Sequence, residues 1–198
     1  MTLRLFVALS IPDEVKTALT IAQNSLRESL SQADISWTRP ENFHLTLRFL
    51  GDVEEARVAE LSARLQVACA PFEPLELVCE SLGCFPSQKP PRVLWAGLHG
   101  DGLLQLQKRV EAACAPFAER SKAENFAAHV TLARVRQLSH AQRQIAKRAT
   151  QNPLSFGRWT ATHVELIRSE LGQGPARYST LATFPLSGLD SAMDDGSR

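Results

Sequence analysis

Apolar and polar positions alternate over residues 3–9, the two-residue period of a strand with one buried face. From Pro12-Asp13 the period lengthens to that of a helix, with Val15, Ala18, Leu19, Ala22 and Leu26 on one side. Trp37-Thr-Arg-Pro40 reads as a connector, and a strand is expected over Phe43–Leu50, stopping at Gly51. Asp52 and Glu55 have the spacing of a capping box before a helix whose apolar stripe is Val58, Leu61, Leu65 and Ala68. Pro71 and Pro74 end that helix, and Leu75–Leu82 reads as a strand closed by Gly83.

The same order then returns. Arg92–Leu98 has the pattern of a strand, and Leu103, Leu106, Val110, Cys114 and Phe117 mark a helix face. Phe126–Val135 contains a strand, and Ser139 with Gln142 is a capping-box pattern before a helix with Ala141, Ile145 and Ala149. Thr160–Arg168 reads as one strand and Tyr178–Phe184 as another. Each half is therefore β-α-β-α-β, with pseudo-repeats over about 3–83 and 92–184. Glu41-Asn-Phe-His-Leu-Thr-Leu47 is echoed by Glu124-Asn-Phe-Ala-Ala-His-Val-Thr-Leu132, and Val7-Ala-Leu9 more weakly by Trp95-Ala-Gly-Leu98. A period near 85 residues indicates duplication rather than a solenoid. The expected fold is α+β, a single bilobal domain over 1–186 whose two sheets face each other across a cleft. A doubly wound sheet is disfavoured because no strand-to-helix turn carries a G-x-G-x-x-G or G-x-x-x-x-G-K pattern. Residues 187–198, small and acidic, are expected to form a flexible tail.

Composition narrows the chemistry. With 198 residues and 44% apolar content, the chain can bury a core without disulfides. Its four cysteines form no C-x-x-C pair and no zinc-ligand spacing, so they read as small buried hydrophobes in a reduced cytoplasm. No apolar run reaches the 18 residues of a membrane span, and the apolar start reads as a first strand rather than a signal peptide. A net charge of +1 excludes a globally basic coat, so recognition of phosphate must be local.

His44-Leu-Thr-Leu47 and His129-Val-Thr-Leu132 carry the chemistry. Residues i and i+2 of a strand share a face, so each motif sets a His-Thr pair against core hydrophobes. If a pseudo-twofold axis relates the lobes, the two pairs meet in the cleft. Cleaving a phosphodiester requires one group to take a proton from the attacking oxygen and another to give one to the leaving oxygen. Histidine does both near neutral pH, and threonine hydroxyls can hold the non-bridging oxygens. The scheme calls for no metal and no cofactor. The symmetric sequence does not say which histidine is the acid.

These residues and their flanks resemble the 2H phosphoesterases, in the branch of bacterial RNA 2′,3′-cyclic phosphodiesterases, also called 2′-5′ RNA ligases. The likeness runs over roughly 3–186 and rests on Phe6-Val-Ala-Leu9, Asn42-Phe-His-Leu-Thr-Leu-Arg-Phe-Leu-Gly51, Val93-Leu-Trp-Ala-Gly-Leu98, His129-Val-Thr-Leu-Ala-Arg134 and Arg177-Tyr-Ser-Thr-Leu181. It implies antiparallel-rich sheets with helices outside. It implies His44 as proton donor to the leaving 3′ oxygen, His129 as proton acceptor, and Thr46 and Thr131 on the phosphate. The substrate implied is RNA with a 2′,3′-cyclic phosphate end, tRNA fragments among them; a cytoplasmic monomer with no membrane association is expected, since the sequence shows no strong exposed apolar helix, no coiled-coil heptad and no long apolar run. Relatives often have Pro before the second histidine, where this chain has Ala128.

Other residues are open to two readings. Arg48 shares the parity of His44 and Thr46, which places it on the cleft face or at a solvated edge. Arg134 matches the family arginine, yet ideal alternation turns it away from His129 unless the strand bulges. Trp37 and Tyr178 are candidates to stack a base, whereas Phe43 has core parity. His99, His140 and His163 read as structural or solvent-facing. Two further functions stay open: opening of small cyclic nucleotides such as ADP-ribose cyclic phosphate, and a non-catalytic RNA- or nucleotide-binding module.

Overall fold

The computed structural model describes residues 1–117, 126–151, 153–170, 172 and 176–189. Along them run β1 Thr2–Ser10, α1 Asp13–Ser29, β2 Asp34–Trp37, β3 His44–Glu54, α2 Val58–Cys69, β4 Leu75–Phe85, β5 Val93–His99, α3 Leu103–Cys114, β6 His129–Gln137, α4 His140–Ala149, β7 Ser155–Ala161, β8 His163–Glu170 and β9 Arg177–Pro185. The fold is α+β and every strand pairing is antiparallel. The strands follow one path, β7-β4-β5-β6-β3-β1-β8-β9, with β2 added to β6. The two sheets of the expected cleft are thus continuous, joined among the described residues by the pair Leu45↔Val130.

The two sides of that junction do not follow the sequence halves. β1 and β3 of the first half lie beside β8 and β9 of the second, while β5 and β6 lie beside β4 of the first half and β7 of the second. The exchange explains why the strand expected over 160–168 is two. The chain leaves β7 at Ala161, paired to β4, and enters β8 at His163, which is hydrogen-bonded to β1 beyond the junction. A run of apolar alternation cannot show that its two ends belong to different ladders.

Helix positions follow burial. In α1, Val15, Leu19, Gln23 and Leu26 are buried, and α2 buries Leu61, Leu65, Ala68 and Cys69. Of these, Val15, Leu19, Leu26, Leu61, Leu65 and Cys69 join Leu5, Leu45, Leu77, Leu106, Leu132 and Leu166 in one main core. Each fully buried leucine contributes about 1.5–3 kcal/mol. A smaller cluster of Leu30, Leu94, Ala133, Val135, Leu138 and Ala146 sits under α4. The buried residue of α4 is Ala146; of the expected face Ala141, Ile145 and Ala149, the first two are exposed and Ala149 is half-buried against the main core.

Several boundaries move for local reasons. Gly51 does not end β3: Leu5 pairs with Gly51 and Phe6 with Phe49, so Leu50 is an extra residue and Gly51 takes φ 78° beside it. Asp52 cannot cap α2, because its backbone is paired to Arg4 in the ladder, and α2 is entered instead through a 3₁₀ turn at Glu55–Arg57. The Ser139–Gln142 capping box forms in both directions. The connector around Trp37 is in part a short strand, β2. At the C-terminal end, Gly188 and Leu189 donate backbone hydrogen bonds to Phe72 and Ala70, and the Ser187 hydroxyl donates to Ala70, so the expected flexible tail does not start at 187. Its remainder, 190–198, lies outside the described residues, as do Glu124 and Asn125 of the second echo. No helix among the described residues is long and apolar enough to cross a membrane.

β4 also runs through Gly83 rather than ending there, because Gly83 pairs with Trp95 and the indole lies against its Cα. A Cβ at this position would overlap the Trp95 ring. Gly83→Ala is therefore expected to destabilise the fold by about 1–3 kcal/mol, read as a lowered urea midpoint. An unchanged midpoint would mean that the indole is free to shift.

Candidate active site

The pair Leu45↔Val130 fixes the register at the junction of β3 and β6. In an antiparallel pair the neighbours are then set, so His44 comes toward Thr131 and Thr46 toward His129. Leu45 and Val130 are fully buried, which turns the four polar residues to the other face. All four line one cleft, together with Arg134 and Tyr178. The cleft encloses a cavity of about 140 Å³ that opens to solvent.

The two imidazoles are held alike. His44 Nδ1 donates to the Asn42 carbonyl at 2.7 Å, and His129 Nδ1 donates to the Ala127 carbonyl at 2.7 Å. A carbonyl only accepts, so the neutral rings carry hydrogen on Nδ1 and leave Nε2 as the reactive nitrogen. The Thr46 hydroxyl donates to His44 Nε2 at 2.9 Å. Burial pushes both histidines below their ordinary value, and the bonds to backbone carbonyls oppose it. The charge of His129 lowers His44 further, and that of Arg134 lowers His129. Phe6 and Tyr178 flank His44 at 4.8 and 5.5 Å between ring centroids, and Phe85 and Trp95 flank His129 at 5.2 and 6.2 Å. Ala128 replaces the family's proline without freeing the chain, since its carbonyl accepts from Leu98 N–H at 3.1 Å.

Beyond each threonine the strand carries one extra residue. Val7 pairs with Arg48 and Ala8 with Thr46, which leaves Leu47 unopposed; Leu94 pairs with Ala133 and Trp95 with Thr131, which leaves Leu132 unopposed. The last position of each His-x-Thr-x motif is thus a bulge, and a bulge reverses the facing of the residues after it. Arg134 is thereby returned to the cleft. Arg48 is carried out of it: 7% exposed, it forms an ion pair with Glu111 on α3 at 3.1 Å and does not line the cleft. Phe49 stands where Arg134 stands in the other repeat, lines the cleft, and has the Arg4 guanidinium 4.8 Å from its ring centroid.

Each bulge is held from the helix side. The Leu132 carbonyl accepts from Thr38 N–H and from Gln23 Nε2, both at 2.9 Å, and Gln23 Nε2 also donates to the Thr38 carbonyl at 2.7 Å. The Leu47 carbonyl accepts from Gln107 Nε2 at 3.4 Å. Gln23 and Gln107 hold the same place in the first helix of each repeat, Leu19-x-x-x-Gln23-x-x-Leu26 and Leu103-x-x-x-Gln107-x-x-Val110. That signal, a glutamine inside an apolar stripe, was present in the sequence but shows only when the two helices are superposed. Phe6, Thr38, Asn42, Phe49 and Ser169 also line the cleft; Phe6, Asn42 and Phe49 lie in segments that carry the family resemblance but were given no site role in the sequence, and Thr38 and Ser169 lie outside those segments.

The other candidates lie elsewhere. Trp37 packs against the core under the Arg27 guanidinium and does not line the cleft, and Phe43 is buried as its parity predicts. His99 pairs with Glu80, and His163 with Glu165. The thiols of Cys69, Cys79 and Cys114 are pushed up to about 12 by burial, so they stay protonated at neutral pH and are no nucleophiles.

The model of the LigT like Phosphoesterase family matches residues 9–95 and 99–176. An Archaeoglobus fulgidus protein named RNA 2′,3′-cyclic phosphodiesterase is 30% identical over 183 residues, 92% of this chain and 99% of that protein. A Geobacillus stearothermophilus protein of the same name is 29% identical over 184 residues, 92% of this chain, and is longer, the match covering 57% of it. The crystal structure of TT0787 of Thermus thermophilus superposes with a TM-score of 0.77 at 28% identity, covering 92% of this chain and 97% of that one.

The buried Gln23 amide is expected to matter for the anion site. Gln23→Leu removes one donor from the Leu132 carbonyl, costs about 1–3 kcal/mol in urea unfolding, and weakens binding of inorganic phosphate about tenfold by releasing Arg134. Phosphate affinity equal to wild type would show that Arg134 keeps its place without the clip.

Proposed function

We infer that this chain, which belongs to the LigT-like phosphoesterase family, hydrolyses RNA 2′,3′-cyclic phosphate ends to 2′-phosphates by acid-base catalysis between His44 and His129. The observation that carries this reading is the paired tethering of both Nδ1 atoms to backbone carbonyls, which reserves both Nε2 atoms for one cleft. Relatives named RNA 2′,3′-cyclic phosphodiesterase support the substrate class.

His129 Nε2 takes a proton from water as the water oxygen attacks phosphorus. The P–O3′ bond breaks, and His44 gives its proton to the 3′ oxygen, leaving a 3′-hydroxyl and a 2′-phosphate. The assignment of the two roles follows the family resemblance. Thr46, Thr131 and Arg134 hold the non-bridging oxygens, where charge builds in the transition state, and Tyr178 borders the nucleoside. The anion between them draws a proton onto His44, offsetting the burial that otherwise keeps that ring neutral. With a 5′-hydroxyl in place of water, the same proton transfers form a 2′-5′ linkage without ATP. The enzyme acts as a cytoplasmic monomer, and RNA ends such as those of tRNA fragments are its substrates.

Product analysis on a short RNA ending in a 2′,3′-cyclic phosphate, in EDTA, tests this directly. Wild type is expected to yield a 2′-phosphate, while His44→Ala and His129→Ala each lose at least about 100-fold in rate. Turnover of small cyclic nucleotides alone would overturn the substrate, and no turnover of either, with metal restored, the enzyme itself.

The pH profile gives a second test. A lowered histidine loses its proton earlier as pH rises, so kcat/KM, which reports the free enzyme, should follow a bell with both limbs below the ordinary value of 6.5. Bound anionic substrate raises the acid, so the alkaline limb of kcat should lie above that of kcat/KM. Coincident limbs above neutrality would contradict the burial argument.

A further inference from the structure

The cleft accounts for one phosphate, yet the charge of the chain is concentrated beyond it. Overall there are 22 Lys and Arg against 21 Asp and Glu. Between Glu124 and Glu165 no acidic residue occurs, while Arg134, Arg136, Arg143, Lys147, Arg148 and Arg158 all do. That segment carries +6, and the remainder is net negative by five. A groove between α4 and the β4–β5 hairpin gathers part of this charge: Lys89 on the hairpin faces His140, Arg143 and Lys147 on α4. All four are exposed, and among the described residues no carboxylate forms an ion pair with Lys89, Arg143 or Lys147.

Helix energetics explain only part of the pattern. Lys147 and Arg148 lie in the last turn of α4, where cations suit the helix dipole. Arg143 lies a turn earlier with Lys147 at i+4, a like-charge spacing that costs a few tenths of a kcal/mol, and Lys89 is on a different element. The hairpin also leads into the site. Its first flank ends at Phe85, whose ring is edge-on to His129 at 5.2 Å, and its second begins at Val93, paired with Arg134. Arg92 N–H donates to the Phe85 carbonyl, and Val135 N–H donates to the Arg92 carbonyl, so both flanks are fixed to β6 beside the cleft.

We propose that the groove between α4 and the β4–β5 hairpin binds the phosphate backbone of the RNA body whose cyclic end lies in the cleft, with Lys89, Arg143 and Lys147 as its contacts. This rests on the RNA reading above. Exposed cations dominate the groove, with the His140 imidazole as the aromatic ring among its lining residues, and such a lining fits contact with the phosphate backbone without sequence preference.

The test separates the groove from the chemistry. Binding of a 20-nucleotide RNA with an ordinary 3′-hydroxyl is followed by fluorescence anisotropy across a salt series, for wild type and for Lys89→Ala/Arg143→Ala/Lys147→Ala. In parallel, turnover of a mononucleoside 2′,3′-cyclic phosphate is measured. The triple variant is expected to bind RNA at least about tenfold more weakly, with a salt slope shallower by about 0.7 for each phosphate no longer neutralised, and to keep wild-type mononucleotide turnover and melting temperature. RNA binding and salt slope equal to wild type overturn the groove. So does a wild type that fails to bind the RNA, or a variant that loses an acidic peptide as strongly as RNA. Failure of mononucleotide turnover in wild type counts against the hydrolase reading alone, because RNA binding is scored without a cyclic end.

Discussion

Leu45 opposite Val130 is the contact on which the site depends. This antiparallel pair joins the two sides of the sheet, and both side chains point into the core. With those two residues committed inward, parity leaves His44, Thr46, His129 and Thr131 only the opposite face. Burial of two aliphatic side chains thus sets the spacing of two acid-base groups. A one-residue slip at this junction would turn all four polar residues into the core, which is why the register is strongly specified.

The bulges at Leu47 and Leu132 then divide the labour between the two repeats. Both come directly after the threonine, both reverse the facing of the next residues, and both have a helix glutamine on the freed carbonyl. The same device acts on different residues. In β6 it brings Arg134 to the cleft, and in β3 it sends Arg48 to Glu111 and leaves Phe49 on the cleft. Duplication supplies a symmetric frame for two histidines, and divergence within the bulged segments makes one wall cationic and the other aromatic.

Electrostatics in this chain is a matter of placement, not of total charge. Burial favours neutral imidazoles, and in the proposed mechanism it is the bound phosphate that would make a charged histidine favourable. Arg134 adds a permanent charge that depresses His129 and so favours its neutral ring. The acid-free stretch from 125 to 164 continues that charge onto α4, although the whole protein is close to neutral.

Strands, helices and the shared face of the four motif residues were legible in the sequence because each rests on local periodicity or on a repeated pattern. Val15, Leu19 and Leu26 declare a helix face, Ser139 with Gln142 a helix start, and His44-Leu-Thr and His129-Val-Thr a polar pair on a buried strand. Where a ladder partner decides, the sequence was silent. Asp52 has cap spacing but is held by Arg4, Gly83 reads as a stop but accommodates Trp95, and residues 160–168 read as one strand but serve two ladders. The arginines show the division most plainly. Alternation alone put Arg48 on the face of His44, at the cleft or a solvated edge, and Arg134 on the opposite face, and one unpaired residue in each strand changed both. A bulge exists only relative to the strand beside it, so the tertiary structure decides which side chain enters the cleft, while the sequence by itself determined which residue types would be available to it.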